Sequence, residues 1–273
     1  MNPTWRLLST GQHNAAMNMA IDEAMLLNQE SHPQPTLRFY DWSQPTFSFG
    51  YFQRITDEVD VDACTSRGIE LVRRMTGGGT VIHGWDVTYA IIVPHGSGVL
   101  PGSISASYGV ISKCLINGFQ GIGVDAKSQI KKPTQNNRHD ELSSDVLPNI
   151  CLTNLARYDI MLDGKKIAGV SQRRKQIGVM HQGYIALDMP PPDILEIVSK
   201  HSNFDQLVGG KSTAINIGEC TPIHRGQIES AVAAGLEKIL GIQLVAGVLS
   251  VEEMESANRL AQTKYTAAEW NFC

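Results

Sequence analysis

Segments with strand character follow one another directly in this chain, and this order constrains the fold more than any other feature. Three of them come in succession, TLRFYDW, PTFSFGYF and IELVRRM, and each is rich in aromatic or β-branched residues. A fourth, VIHGWDVTYAIIVP, alternates apolar residues at Val87, Tyr89, Ile91 and Val93. Since a parallel sheet of β-α-β units needs a helix between its strands, we expect an α+β fold with a mixed β-sheet core flanked by helices.

Helical patterns occur between and after these strands. Residues 14–29 carry apolar side chains close to helical spacing, and Asn14 is placed to cap that helix. Further helices are predicted near 107–122, 192–201, 224–240 and 250–262. We divide the chain into one large domain, residues 1–245, and a short C-terminal helical extension, residues 246–273.

The second half contains a long polar segment before its strands resume. Residues 127–149 include two prolines and show no periodicity, which predicts a long exposed loop. Strand patterns return in ARYDIMLDGKKIAGVSQRR and HQGYIALDM. The pair Asp163-Gly164 lies between two extended segments and predicts a hairpin turn.

Composition argues against several classes of protein. The net charge is −4, without the broad basic surface of a nucleic-acid-binding protein. No apolar run approaches the roughly 20 residues that cross a bilayer, and the first residues lack the apolar core of a signal peptide. The five cysteines are an odd number without CxxC spacing, which argues against a disulfide framework and a zinc site. We therefore expect a cytoplasmic protein that binds no metal, nucleic acid or membrane.

A glycine-rich run, RRMTGGGTVIH at residues 73–83, is the first candidate site. Glycines allow a ligand to approach the backbone closely, and N–H groups freed in such a turn can hold an anion or a carbonyl oxygen. The run is neither a phosphate-binding GK[ST] loop nor GxGxxG. Taken alone, the run fits a tight turn between strands better than a binding site, and His83 fits a structural hydrogen-bonding role better than that of a base.

Two further candidates lie downstream. Lys166 follows the predicted hairpin turn, and the small residues that end at Gly169 would let it point into a pocket. Cys151 lies between the polar loop and a strand, where a nearby ammonium would raise its thiolate fraction. Taken alone, the lysine motif also fits an exposed turn, and the cysteine fits a small buried hydrophobe.

Together these motifs resemble the lipoate–protein ligase and octanoyltransferase family, which is related to the biotin protein ligases. RRMTGGGTVIH, NICLTNLARYDIMLDGKKIAGVSQ and KYTAAEWNF occur in the family's order, and the resemblance runs from Trp5 to Phe272. It implies a mixed sheet flanked by helices and a tunnel for an eight-carbon chain, with Phe47, Phe49 and Val81 on its walls. The residues that it implies for substrate binding are Arg74, Gly77, Gly78, Gly79, Thr80, Val81, His83 and Gly169.

The cysteine distinguishes subtypes within this family. ATP-using ligases make an acyl adenylate and need no cysteine here, whereas one octanoyltransferase branch, the LipM type, uses a cysteine before the lysine strand. Cys151 lies fifteen residues before Lys166 and fits that branch without a gap. The chain departs from the family pattern after the motif histidine, where Gly84 stands and an aspartate follows only at Asp86.

The resemblance to the LipM type therefore implies a specific reaction, with Cys151 and Lys166 as its catalytic residues. An octanoyl group would pass from octanoyl-acyl carrier protein to Cys151, and from there to a lysine of a lipoyl-domain protein. Glycine-cleavage H protein and E2 subunits are such acceptors, and no cofactor is implied. Two alternatives stay open: a lipoate–protein ligase that uses ATP and magnesium, and a non-catalytic acyl-binding relative.

Overall fold

The computed structural model describes residues 2–129, 156–198, 212–216 and 222–272. The strands of these segments are β1 (Thr4–His13), β2 (Thr36–Trp42), β3 (Thr46–Phe49), β4 (Glu70–Arg73), β5 (Val81–His83), β6 (Asp86–Pro94), β7 (Lys127–Ser128), β8 (Ile160–Leu162), β9 (Lys165–Lys175), β10 (Gly178–Ala186) and β11 (Gln243–Ala246). The helices are α1 (Ala15–Asn28), α2 (Ile55–Glu58), α3 (Val61–Ser66), α4 (Ile104–Gly121), α5 (Pro192–Val198), α6 (Arg225–Leu240), α7 (Val251–Leu260) with a π-helical turn (Ala261–Tyr265), and α8 (Ala268–Asn271).

Most of the described strands form one mixed sheet. Its order is β11-β1-β2-β6-β10-β9-β8-β7, and a smaller sheet has the order β4-β3-β5. In the large sheet β1 runs parallel to β2 and β11, and the remaining neighbours are antiparallel. The predicted α+β fold with a mixed sheet is therefore confirmed.

Helices cover both faces of the large sheet. On one face α4 and α6 pack so closely that a Cβ at Gly118 would lie 2.1 Å from the Ala231 carbonyl oxygen. A core cluster that includes Trp5, Phe39 and Ile91 lies beneath them. On the other face α1 packs against α7, and both contribute to a second core cluster.

Hydrogen bonds from Arg73 of β4 connect the C-terminal segment to the small sheet. Arg73 donates hydrogen bonds to carbonyl oxygens of Tyr51, Gln53, Trp270 and Asn271, at 2.8, 2.5, 2.8 and 2.9 Å. Because a guanidinium carries five donors in a rigid fork, it can satisfy several carbonyl groups at once. The division of the chain at residues 245 and 246 stays a prediction.

Several local predictions are confirmed by these elements. The side chain of Asn14 accepts a hydrogen bond from the Met17 N–H at 2.8 Å and so caps α1. Asp163 and Gly164 have φ values of +48° and +76°, the left-handed conformation that a tight hairpin turn requires.

Other local predictions differ from the structure. Two strands at one end of the large sheet, β1 and β11, had not been predicted. Their polar and short sequences, TWRLLSTGQH and QLVA, give a weak strand signal. Residues 127–128 were predicted as loop and instead form β7, since Lys127 and Ser128 pair with β8. The rest of that predicted loop, residues 130–149, lies outside the described residues.

Candidate active site

A pocket lies between the two sheets and contains about 390 Å³ of space, part of it open to solvent. Five of the residues predicted for substrate binding line it: Arg74, Gly78, Val81, His83 and Gly169. The other three, Gly77, Gly79 and Thr80, belong to the same turn but are not among its lining residues. Further lining residues are Met19, Tyr40, Trp42, Ser48, Thr88, Val170, Ser171, Gln182, Gly183 and Tyr184.

Lys166 lies on one side of this pocket, at the start of β9. Its side chain is 1% exposed, and its ammonium lies 2.7 Å from the carboxylate of Asp159, which is 4% exposed. Lys165 is only half-buried. Adjacent strand residues point to opposite faces, so the two lysines have different surroundings.

Gly169 brings the lysine to the pocket wall. A Cβ at this position would lie 3.0 Å from Cε of Lys166, 3.1 Å from its Nζ and 3.0 Å from the ring of Tyr184. A larger residue would therefore push the lysine or the tyrosine from its place. Because Gly169 itself lines the pocket, the Lys166 ammonium lies directly behind this part of the wall.

The carboxyl group of Asp159 is held in an environment that does not favour its charge. Burial raises the pKa of Asp159 above its usual value, and the Lys166 ammonium and the Ala156 N–H oppose that rise only in part. The Ala156 N–H donates to the carboxylate at 2.7 Å. The pair is thus a buried ion pair in which desolvation of the carboxylate outweighs the attraction.

The glycine-rich turn forms another wall, and Arg74 holds it from within. The Arg74 guanidinium donates to the carbonyl oxygens of Gly77 and Gly79, at 3.2 and 2.9 Å. It also donates to the Ser48 carbonyl at 2.5 Å and to Ser48 Oγ at 2.7 Å. These contacts shape the turn, while the substrate-binding role of Arg74 stays a prediction.

His83 lies beside this turn in a chain of buried polar groups. Its Nε2 is 2.7 Å from Ser48 Oγ, and its Nδ1 is 2.8 Å from Oδ2 of Asp86. Thr88 donates to the same carboxylate oxygen at 2.8 Å. The ring of Trp42 stacks on the imidazole, with 4.1 Å between the centroids.

Asp86 differs from Asp159 in the direction of its pKa. Burial pushes the pKa of Asp86 upward, but attraction to His83 and hydrogen bonds from His83, Thr88 and the Gly84 N–H outweigh that effect. The pKa of Asp86 therefore lies below its usual value, and the group is ionised at neutral pH.

A polar network links the glycine-rich run to the centre of the large sheet. Ser171 donates to Thr76 Oγ1 at 2.9 Å, and Thr76 donates to the side chain of Gln182 at 2.8 Å. Gln182 in turn donates to Asp22 at 2.7 Å. Ser171 and Gln182 line the pocket, so the network fixes the spacing between β9, β10 and the turn.

The placement of β3 corrects one expectation about the tunnel walls. Phe47 and Phe49 were expected to line the tunnel, but both are fully buried in a separate cluster with Ile55 and Val59. The residue that reaches the pocket is Ser48, because side chains alternate between the two faces of a strand.

Sequence reasoning also missed other residues of the site. Ser48, Asp159, Gln182 and Tyr184 had not been singled out. The sequence does contain a signal for Ser48. It is a polar residue between two phenylalanines in a strand that is buried on both faces, where a polar side chain is unusual. The local sequence around Asp159 gives no comparable signal, because its partner Lys166 lies across a hairpin.

Comparison with known proteins decides the family. A family model described as the lipoyl protein ligase A/B catalytic domain matches residues 14–237, most of the chain. The chain belongs to this family. The resemblance seen in the sequence motifs is thereby confirmed.

Individual members of the lipoyl protein ligase A/B family match over the full length. Octanoyltransferase LipM of Kyrpidia tusciae is 37% identical over 275 residues, which cover 98% of this chain and 98% of that protein. Octanoyltransferase LipM of Bacillus subtilis is 31% identical over 275 residues, again 98% of each. A solved structure of a bipartite lipoate protein ligase and its E2 lipoyl domain from Thermoplasma acidophilum has a TM-score of 0.77 at 22% identity. It covers 99% of this chain and 96% of that chain, and supports the fold alone.

The cysteines of this family member divide into two groups. Cys64 and Cys114 are buried and form no disulfide, and burial raises the pKa of Cys114 to about 12. A thiol in that environment is a poor nucleophile. Cys151, together with Cys220 and Cys273, lies outside the described residues, so its catalytic role stays a prediction.

The described segments contain neither a cluster of metal-binding side chains nor a membrane-spanning helix. No three histidine, cysteine or acidic side chains in those segments are grouped so that they could hold a metal ion. None of the described helices has the length and apolar character needed to cross a membrane.

Proposed function

We propose that this chain moves an octanoyl group from octanoyl-acyl carrier protein, through a thioester on Cys151, to a lysine of a lipoyl-domain protein. Glycine-cleavage H protein and E2 subunits are the acceptors we propose. The observation that carries the proposal is the buried Lys166–Asp159 pair at the wall of a largely apolar pocket. Full-length relatives named octanoyltransferase LipM support octanoyl transfer as the reaction.

The reaction would proceed in two covalent steps. The Cys151 thiolate attacks the thioester carbonyl of the donor, the carrier's thiol leaves, and an octanoyl thioester forms on the enzyme. The amine of the acceptor lysine then attacks this thioester, an amide forms, and the cysteine thiol is regenerated. Two steps suit two bulky protein substrates, because each can occupy the site in turn.

Lys166 would supply positive charge to both steps. An ammonium close to a cysteine stabilises its thiolate, and the same charge stabilises the oxyanion of a tetrahedral intermediate. Asp159 holds that ammonium in one place, although burial makes its own charge unfavourable. Backbone N–H groups of the glycine-rich turn would assist, and loss of one oxyanion donor typically slows a reaction about 10²–10³-fold.

The pocket offers apolar surface to the acyl chain. Met19, Trp42, Val81, Val170 and Tyr184 are among its lining residues. Burial of each methylene stabilises a bound chain by about 0.8 kcal/mol. An eight-carbon chain therefore has enough apolar surface for a closed tunnel to discriminate by length.

The proposed reaction needs no cofactor and takes place in the cytoplasm. Conversion of a thioester to an amide is downhill, so neither ATP nor a metal ion has to drive it. ATP and magnesium belong to the alternative, in which the chain ligates a free acid. A reducing compartment agrees with five cysteines that lack a disulfide pattern.

An assay without ATP tests this function. We expect the protein to form octanoyl-lysine on a lipoyl domain from octanoyl-acyl carrier protein, as measured by mass spectrometry of the acceptor. Cys151→Ser and Cys151→Ala should abolish the product, because only a thiolate can form the thioester intermediate. Cys64→Ala and Cys114→Ala are the matched controls and should retain transfer. Product that requires ATP and a free acid, and that survives in Cys151→Ala, would instead identify a ligase.

A further inference from the structure

Ser48, His83 and Asp86 form a continuous hydrogen-bonded chain in the pocket wall. Ser48 Oγ lies 2.7 Å from His83 Nε2, and His83 Nδ1 lies 2.8 Å from Asp86 Oδ2. All three side chains are buried, while Ser48 and His83 line the pocket. A hydroxyl, an imidazole and a carboxylate in this order have the geometry of a general-base system.

The surrounding donors determine the direction of these hydrogen bonds. Arg74 can only donate, so Ser48 Oγ accepts its hydrogen bond at 2.7 Å. The hydroxyl hydrogen of Ser48 is then available for His83 Nε2, and the Nδ1–H of His83 donates to Asp86. Ser48 Oγ keeps a second lone pair, which can accept a hydrogen bond from a group in the pocket.

Lys166 is not suited to remove a proton in this site. Its ammonium is paired with Asp159 at 2.7 Å, and a protonated amine can donate but cannot accept. Attack by a lysine amine on a thioester nevertheless requires that the nitrogen lose a proton. Another group of the pocket wall can accept this proton in place of Lys166.

We propose that Ser48 and His83 form the proton relay for the amine-attack step, with Asp86 as the positioning residue. The inference rests on the proposed octanoyl transfer. As the C–N bond forms, the amine proton passes to Ser48 Oγ while the hydroxyl proton of Ser48 passes to His83 Nε2. When the C–S bond breaks, the proton returns along the same chain to the departing thiolate, and the relay is restored.

The groups around His83 support this assignment. Asp86 faces Nδ1 and stabilises an imidazolium, and Trp42 covers one face of the ring. Arg74 reaches the imidazole only through Ser48, and Arg225 of α6 donates to the backbone carbonyl of Asp86 at 2.6 Å. Tyr40 and Tyr184 are the tyrosines that line the pocket, and burial raises the pKa of Tyr40 so that it stays neutral.

Single-turnover kinetics separate the relay from the rest of the reaction. Enzyme is first loaded with octanoyl from octanoyl-acyl carrier protein, and loading is followed by intact-protein mass spectrometry. The loaded enzyme is then mixed with a lipoyl domain, and the rate of amide formation is measured from pH 6 to 9. In Asp86→Asn and His83→Gln we expect amide formation to be about 10²-fold slower and loading to be slowed far less than amide formation.

The pH dependence distinguishes a relay from a purely structural role. Wild-type amide formation should rise with pH and then level off, because the relay accepts the amine proton. In His83→Gln the rate should keep rising with pH, because only amine that is already deprotonated can react. His181→Gln is the matched control, since His181 is buried on β10 against Tyr108 of α4 and does not line the pocket. It should match wild type in both steps.

Several outcomes would overturn the relay. Wild-type amide formation by folded His83→Gln and Asp86→Asn would do so. A parallel loss of loading and amide formation would show that these residues only shape the pocket. Failure of the wild-type protein itself to load octanoyl would contradict the proposed function, and the relay with it.

Discussion

Two of the buried carboxylates beside the pocket, Asp86 and Asp159, have pKa values shifted in opposite directions. Asp86 receives hydrogen bonds from His83, Thr88 and the backbone N–H of Gly84, and its pKa is lowered despite burial. Asp159 faces the full charge of Lys166, yet burial raises its pKa. Attraction to His83, together with hydrogen bonds from His83, Thr88 and the Gly84 N–H, thus stabilises a buried carboxylate better here than one ammonium does.

This difference indicates which role each carboxylate is suited to. The carboxylate of Asp86 has its hydrogen bonds satisfied by neighbouring groups, so it is suited to hold His83 in one orientation. At Asp159 the desolvation of the carboxylate is only partly offset. The Lys166 ammonium paired with it would therefore be stabilised further by an additional anion in the pocket. A thiolate or an oxyanion is such a group, and for this reason we place the charge-stabilising chemistry at Lys166.

The largest expected effect comes from removal of the lysine. Lys166→Met should reduce octanoyl transfer about 10²–10³-fold, because the oxyanion would lose the stabilising charge of the Lys166 ammonium. It should also lower the free energy of unfolding by about 3–5 kcal/mol, since a buried carboxylate is left without its partner. Transfer assays and urea denaturation measure the two effects.

The double variant Lys166→Met/Asp159→Leu sharpens the comparison. Apolar residues in place of a buried ion pair are often neutral for stability or stabilising. We expect the double variant to recover most of the lost stability while transfer stays as low as in Lys166→Met. Recovery of transfer together with stability would show that Lys166 has only a structural role.

The dependence of stability on pH should differ in sign between the two carboxylates. A lowered pKa gives stability that is present above the ordinary value of 3.8 and is lost as the pH falls through the folded-state pKa. The stability deficit of Asp86→Asn relative to wild type should therefore shrink in acid. A raised pKa has the opposite sign, so the deficit of Asp159→Asn should shrink as the pH rises above 3.8.

Denaturant unfolding of wild type and both variants between pH 3 and 7 measures these deficits. If the stability deficits of the two variants changed with pH in the same direction, the proposed difference between Asp86 and Asp159 would be contradicted.

A smaller effect is expected from a methyl group added behind the lysine. In Gly169→Ala the new Cβ would lie 3.0 Å from both Cε of Lys166 and the ring of Tyr184, so the lysine or the tyrosine must shift. We expect transfer to fall about tenfold and stability to fall by about 1–3 kcal/mol. Gly226→Ala, where a Cβ meets no atom within 4 Å, is the control and should gain up to about 1 kcal/mol without loss of transfer. Wild-type transfer by Gly169→Ala would show that the lysine position is not critical.

The smallest effect is expected at the neighbouring lysine. Lys165 is half-buried and lies on the other face of β9, so Lys165→Ala should keep transfer within about threefold of wild type. Steady-state kinetics beside Lys166→Met provide the test. If Lys165→Ala is the inactive variant, the assignment of the two lysines is reversed.

Sequence reasoning reached the parts of the fold that depend on local pattern. The capped helix α1, the Asp163-Gly164 turn and the mixed sheet follow from spacing, capping and turn chemistry. The strands β1 and β11 were missed, because short or polar strands at one end of a sheet are specified by their neighbours rather than by their own sequence.

The site was only partly accessible to the same reasoning. Motifs identified Lys166, Gly169 and the glycine-rich turn, since each is a short run of unusual residues. The partners Asp159 and Ser48 come from other elements, and only the folded sheet brings them into contact. Contacts between distant segments therefore set the electrostatics of the site, and a local pattern does not encode them.

The central claim, that Lys166 provides charge to Cys151, is tested most directly by the pH dependence of cysteine alkylation. Iodoacetamide labelling of Cys151 is followed by mass spectrometry in wild type and in folded Lys166→Met across pH 5 to 10. We predict a wild-type midpoint below the free-thiol value of about 8.5 and a midpoint in the variant that moves up towards it. Identical midpoints in the two proteins would contradict the claim.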